Sequence, residues 1–404
     1  MVIGGGTAGI ATALSLAEKG VFVNLVERAP SIGGRAAELC CKGNVECIRC
    51  DVCLSMDKVY EVAQSRNIRV FTDTEIKNVT GEPGDFRVSM ERGPRYVDER
   101  SCVACGLCLE ACPTGAIHPP GQGAPLTYVV DPERCLRWQG EECRKCVEAC
   151  PTGAVDFGAK KGRKRLSVGT IVISVGFRPY DPASDPRLGH GLVPDVVSST
   201  EAELAINRDG GLTTSLGLPP KRVAIVQCVG SRDRSRGVDY CSKVCCKYGM
   251  KLAQYLRAMD PEVSVTFFFM DWRPHEVMQD DLYQWAEVEE GVTLIRTRPA
   301  EVMPSEEDRP VVRYSPQDEI MEEEFDLVIL SVGILPPDLT HLSGVMGLEL
   351  SDQGFLRTLP EGLTTTVPGV FGSGCCTGPK DIEESVIEGM AAASAAYTFL
   401  EGLK

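Results

Sequence analysis

The 404-residue chain has few histidines, a deficit of positive charge and no long apolar run. Its four histidines, His118, His190, His275 and His341, show no paired spacing, so each reads as an ordinary surface or core residue rather than a ligand. With 42 basic against 57 acidic side chains the formal charge is −15. That balance argues against a nucleic-acid partner, despite the basic stretch from Lys160 to Arg165. The longest apolar candidates, Val263 to Met270 and the alanine-rich stretch near Met390, fall well short of the roughly 18 residues that cross a bilayer. A soluble, cytoplasmic protein is expected, with no membrane span and with peripheral membrane association only through partners. Aromatic residues are sparse at 6%, but hydrophobic residues at 43% suffice for a packed core.

What the chain has instead is cysteine, 19 in all, gathered in groups. An odd number in a chain this long, with no secretory leader pattern, excludes a simple disulfide framework. The thiols are expected to be metal ligands in a reducing compartment. The length suggests two to four domains at roughly 100 to 200 residues each.

The N-terminus opens with Met1-Val2-Ile3 and Gly4-Gly5-Gly6-Thr7-Ala8-Gly9, followed by a helical stretch from Ile10 to Lys19. This is G-x-G-x-x-G between a strand and a helix. Gly4 serves the tight turn, Gly6 the close approach of a pyrophosphate, and Gly9 the packing of the helix. A second strand, Val21 to Val26, ends at Glu27, where an acid would hold a ribose hydroxyl. Ser31-Ile32-Gly33-Gly34-Arg35 comes next, and a late strand closes on glycines from Thr364 to Gly374.

Residues 95–158 contain Cys102-x2-Cys105-x2-Cys108-x3-Cys112-Pro113, then Cys135, Cys143-x2-Cys146-x3-Cys150-Pro151. The first is the bacterial ferredoxin run, in which the last cysteine of each run ligates the other cluster. One [4Fe-4S] site is therefore expected on Cys102, Cys105, Cys108 and Cys150, the other on Cys135, Cys143, Cys146 and Cys112. Pro-Thr-Gly-Ala after both runs marks an internal repeat. Cys47-x2-Cys50-x2-Cys53 suggests a third site, with its fourth thiolate from Cys40 or Cys41; Cys41 lies nearer the triad and is preferred. Cys228, Cys241, Cys245 and Cys246 lack ferredoxin spacing. The adjacent pair can ligate together only in an irregular turn or at a helix start. Four clusters would use 16 cysteines and leave Cys40, Cys375 and Cys376, the last two reading as small buried hydrophobes.

The acid, the double glycine and the late strand-to-glycine return resemble the FAD-binding half of the two-dinucleotide-binding-domain flavoproteins of the thioredoxin reductase type. Thr170 to Gly176 and Leu327 to Gly333 resemble that family's strand-to-glycine crossings. In such reductases a second glycine fingerprint receives NAD(P)H. Here the strand from Arg222 to Gln227 runs into Cys228-Val229-Gly230 with no such fingerprint. Together with Cys241-Ser-Lys-Val-Cys245-Cys246, the ferredoxin insert and Thr377-Gly378-Pro379-Lys380-Asp381-Ile382, the chain resembles the A-type polypeptide of heterodisulfide reductase and its bacterial homologues.

That resemblance implies an α/β two-dinucleotide-binding-domain flavoprotein with an inserted α+β ferredoxin-like domain. The expected parts are 1–94 (FAD-binding domain, first part), 95–158 (insert), 159–218 (FAD-binding domain, second part), 219–334 (second nucleotide-binding-like domain) and 335–404 (FAD-binding domain, C-terminal part). It implies FAD held by Gly4, Gly6, Gly9, Glu27, Gly33, Gly34, Arg35, Gly176, Gly374, Lys380, Asp381 and Ile382, and a cluster on the Cys228 group. It implies work as an oxidoreductase subunit in electron bifurcation or confurcation, with HdrB-like and HdrC-like subunits, ferredoxin or a hydrogenase or dehydrogenase electron-input module, as a dimer of heteromers. The alternative is a non-bifurcating adaptor linking a quinone or other reductase module to its partner. Lys251 is a candidate for tuning the flavin, its other reading being an ordinary exposed lysine. Glu201 is a second candidate for the same neighbourhood.

Overall fold

The computed structural model describes residues 1–42, 47, 50–119, 123–273, 278–360 and 362–403. His275, expected to be an ordinary surface or core residue, lies outside them. At the N-terminus β1 (Val2–Ile3), α1 (Thr7–Glu18) and β2 (Val23–Val26) form a parallel βαβ unit, which α2 (Val52–Gln64) and β3 (Ile68–Phe71) extend. β4 (Thr74–Glu82) and β5 (Asp85–Arg92) make an antiparallel hairpin. The 95–158 stretch follows, with α3 (Leu107–Glu110), a ladder of β6 (Ile117–His118) with β7 (Val129–Val130), and α4 (Lys145–Ala149). β8 (Gly162–Val168) then returns to pair with β5, and an isolated bridge joins Val97 to Val155, so the inserted stretch leaves and re-enters at one place. It has its own core around Ile117, Tyr128 and Val130.

β9 (Ile171–Ile173) lies beside β1. The chain then crosses through β10 (Arg178–Pro179), β11 (Val196–Ser198), α5 (Ser199–Asp209), β12 (Arg222–Val229), α6 (Cys245–Met259), β13 (Ser264–Phe268), α7 (Met278–Val288) and β14 (Val292–Ile295). A meander of β15 (Glu301–Pro304), β16 (Pro310–Tyr314) and β17 (Met321–Glu324) precedes β18 (Leu327–Val332). β19 (Ile334–Leu335) pairs with β10 at the return crossing, and α8 (Thr340–Met346), β20 (Val370–Gly372) and α9 (Ile382–Glu401) complete the first unit. The two main sheets are parallel, in the orders β20-β9-β1-β2-β3 and β11-β18-β12-β13-β14. Their strands are near-continuous apolar runs because both faces are covered. In the second sheet Val223, Ile225, Phe267 and Ile329 face α6 and α7, while Ala224, Val226, Phe268 and Leu330 face the meander.

One boundary differs from the expectation. β11 pairs with β18, so 196–209, grouped with the first unit when the chain is cut at 218, packs with the second. A three-residue strand carries too little pattern to announce its sheet.

Phe267 is fully buried. Phe267→Ala is expected to cost about 3–5 kcal/mol, read as a lower thermal unfolding midpoint of the second unit.

Candidate flavin and iron–sulfur centres

The glycine turn after β1 leaves no room for side chains. A Cβ on Gly9 would meet Gly4 O at 1.9 Å, and one on Gly34 would meet Gly6 Cα at 2.7 Å. The result is a bare backbone channel at the start of α1, whose N-cap Gly6 makes no side-chain cap hydrogen bond. Amides left open in this way suit a pyrophosphate. Glu27, at the end of β2, accepts from Gly5 N at 2.6 Å and Ala29 N at 2.8 Å. Gly33 precedes the turn of helix carrying Arg35, which is exposed and paired with Glu38. Gly176 has φ +71° and open space beside its Cα. Gly374 N donates to Glu388 Oε2 at 2.6 Å. Asp381 caps α9 in a capping box with Glu384, Lys380 Nζ donates to Thr377 Oγ1 at 2.7 Å, and Ile382 is the first residue of α9.

In the inserted stretch the Pro-Thr-Gly-Ala repeat becomes geometry. Ala116 N donates to Cys112 Sγ at 3.2 Å, and Ala154 N donates to Cys150 Sγ at 3.3 Å. Burial works to raise both thiols, but hydrogen bonds from amides and from Thr114 or Thr152 outweigh it and hold them below the ordinary thiol value. Cys112, Cys135, Cys143 and Cys146 line one enclosed space. Burial and the neighbouring Cys135, Cys112 and Cys143 push the Cys146 thiol up to about 11. Cys108 is raised by burial, with Cys102 and Cys150 among the thiols acting on it. Both sets contain the exchanged last cysteine that ferredoxin spacing requires. Burial holds the protons on Cys108 and Cys146, and a metal bound there would have to displace them, its positive charge stabilising the thiolates.

The second unit gathers another quartet. β12 slips register between Val226 and Val229, and inside that bulge Cys228 has φ +60°, a left-handed angle uncommon outside glycine. Cys245 and Cys246 are the first residues of α6, the second of the two settings, irregular turn or helix start, in which an adjacent pair can ligate together. Burial, then Cys228, Cys246 and Cys241, carry Cys245 well above the ordinary thiol value. Cys246 reaches about 11, chiefly through burial, while the Arg273 amide hydrogen-bonds to it. Lys243 N donates to Cys241 Sγ at 3.3 Å. A cavity of about 380 Å³ opens beside Cys246, Phe269, Trp272 and Tyr283.

The loop group lies against α6. Cys47 and Cys53 are exposed, Cys50 is half-buried, and Cys41 is exposed while Cys40 packs into the core of the second unit. Burial pushes the Cys40 thiol up to about 12. Lys251, on α6, is buried rather than exposed. Burial and then Lys247 lower its pKa, while Asp51, Cys50 and Cys47 act in the other direction. Lys247 Nζ lies 3.0 Å from Asp51 and 3.7 Å from Asp381, tying α6 to the loop and to the start of α9. Sequence reasoning missed Lys247, whose adjacency to Cys246 was its only signal. Glu201 is occupied at the α5 terminus by the Ser198 amide at 2.6 Å and by His190 at 2.8 Å. Burial raises its pKa, but those hydrogen bonds prevail and leave it below the usual carboxylate value. Cys375 donates to Lys380 O and Cys376 to Ile173 O, both from buried positions. Among the described residues no three His, Cys, Asp or Glu side chains converge on a single metal ion.

Residues 101–154 match a family described as a 4Fe-4S dicluster domain, and residues 2–54 match an NAD(P)-binding Rossmann-like domain. The chain is 38% identical over 421 aligned residues to the iron-sulfur A-type polypeptide of the CoB--CoM heterodisulfide reductase of Methanocaldococcus jannaschii, covering 98% of this chain and 63% of that protein. Over this span it is similar to the A-type polypeptide of heterodisulfide reductase. A second such relative, from the H(2):CoB-CoM heterodisulfide,ferredoxin reductase of Methanothermobacter thermautotrophicus, is 36% identical over 428 residues, covering 100% of this chain and 64% of its own. The chain thus spans slightly less than two thirds of the length of these A-type relatives. Its fold is that of thioredoxin reductase: the enzymes of T. acidophilum and Lactococcus lactis align with TM-scores of 0.55 at 15% and 16% identity, covering 100% and 99% of this chain and 98% of each of theirs.

Proposed function

We propose that this chain is the FAD- and iron–sulfur-bearing oxidoreductase subunit of a heterodisulfide-reductase-like complex, and the hub at which electron pairs are split or merged. The observation that carries the reading is the Cys228, Cys241, Cys245 and Cys246 quartet, gathered at the end of β12 where a nicotinamide fingerprint would otherwise lie. The donor set suits metal better than dinucleotide: a glycine fingerprint is replaced by four thiols close enough to act on one another. FAD, when bound, supplies two-electron chemistry on one side and single electrons to clusters on the other.

The chain's own residues do the rest. The channel of Gly4, Gly6, Gly9 and Gly34 admits a pyrophosphate, Glu27 stands at the ribose end, and Gly33, Arg35, Gly176, Gly374, Lys380, Asp381 and Ile382 frame the remainder. Amides at Cys112, Cys150, Cys241 and Cys246 offset thiolate charge. Lys251 and Lys247 set positive charge between the loop cysteines and the quartet, which favours an added electron there. Cys41, Cys47, Cys50 and Cys53 complete the fourth centre. HdrB-like and HdrC-like subunits and ferredoxin are the proposed partners, the last in keeping with the name of the M. thermautotrophicus relative.

Four centres predict about 16 iron atoms per chain with one FAD, and no tight NADPH binding. Iron near 8 would confine the clusters to the insert. With its partner subunits restored, the complex should reduce ferredoxin only while a high-potential acceptor is reduced in equal amount; reduction of one acceptor alone would leave an adaptor role.

A further inference from the structure

The loop that carries Cys41 is fastened to the second unit by a solvent-free ion pair. Lys42 Nζ lies 2.5 Å from Glu203 Oε1 on α5, with the two side chains 3% and 1% exposed. Glu203 Oε2 accepts the Cys40 amide at 2.9 Å. A turn further along α5, Asn207 Nδ2 donates to Glu38 O at 3.2 Å. Lys42 Nζ also stands 5.5 Å from the ring centroid of Tyr248, whose hydroxyl donates to Ser199 O.

Removing two charges from water is costly, and an apolar pair of similar volume would fasten the loop as well or better. What an apolar pair cannot supply is a field. In a low-dielectric interior a charge acts over a longer distance than it does in water. The pair is close enough for this to matter, since it grips the Cys40 backbone from both sides, Glu203 Oε2 taking its amide and Lys42 Nζ standing 3.5 Å from its carbonyl oxygen. Cys41 lies between Cys40 and Lys42 in the chain.

We propose that Lys42 and Glu203 are a positioning pair for the loop iron–sulfur site, holding Cys41 in place and setting the electrostatic field in which that cluster accepts its electron. This rests on the reading that Cys41, Cys47, Cys50 and Cys53 hold a cluster. The two charges oppose each other, so removing either one should move the potential in a direction set by the one that stays. Lys42→Met leaves an anion, and reduction becomes harder. Glu203→Gln leaves a cation, and reduction becomes easier. Removing both charges brings the potential back toward that of the unaltered protein.

The test uses the reconstituted full chain and redox titration followed by electron paramagnetic resonance. The loop signal is the one lost in Cys50→Ser. Its midpoint should fall in Lys42→Met, rise in Glu203→Gln and return toward the original in Lys42→Met/Glu203→Leu, a variant with no unpaired buried charge to unfold it. Lys42→Arg should preserve it, and signals from the insert should not move. Shifts of the same sign in the two single variants, or an unmoved midpoint in both, would overturn the proposal. A protein with no signal sensitive to Cys50→Ser overturns the loop-site reading itself, and the pair with it.

Discussion

Cys246→Ala is expected to lower bound iron by about four atoms per chain while FAD stays at full occupancy. The thiol belongs to the quartet at the start of α6 and borders the open cavity beside Trp272. The glycine channel lies in the other sheet and shares no residue with it. Alanine is also a better helix former than cysteine, so α6 itself should not suffer. Iron analysis and flavin absorbance on one preparation decide the matter. Loss of flavin with iron retained would mean that the quartet supports the flavin and not a cluster.

The opposite pattern is expected from Gly9→Ala. Its new methyl group would stand 1.9 Å from Gly4 O and 3.4 Å from the Ser174 side chain, so α1 must move away from the turn that receives the pyrophosphate. FAD affinity should fall a hundredfold or more, a loss of about 2.7 kcal/mol, read by equilibrium titration of flavin into deflavinated protein. Iron in the insert should remain, since residues 95–158 have their own core. Unchanged affinity would place the dinucleotide elsewhere.

The parts of this protein that could be read from sequence are those whose chemistry is local. Each ferredoxin run supplies three ligands of one expected cluster from one short stretch and lends its last cysteine to the other, and the strand-turn-helix at Gly4 to Gly9 is written in ten residues. The adjacency of Cys245 and Cys246 left an irregular turn or a helix start, and a helix start is found at α6. What escaped reading depends on distant partners. Nothing near Lys42 announces Glu203, which lies far along the chain on α5. Cys40 and Cys41 are chemically identical neighbours, and only the packing of the second unit decides that one is in the core and the other at the surface. Lys251 reads as solvent-facing until Asp51 and the loop cysteines are folded against α6. Glu201, picked out for its place after an apolar strand, is engaged by a helix terminus and by His190.

The left-handed backbone at Cys228 also has an evolutionary consequence. A side chain in that conformation costs about 1–2 kcal/mol, and glycine would remove the cost. A lineage that lost its metal would therefore be rewarded for replacing this cysteine, since Cys228→Gly should make the iron-free chain more stable even as it removes a sulfur from the quartet. The thiol is thus held in a backbone conformation that suits glycine better than any residue with a side chain.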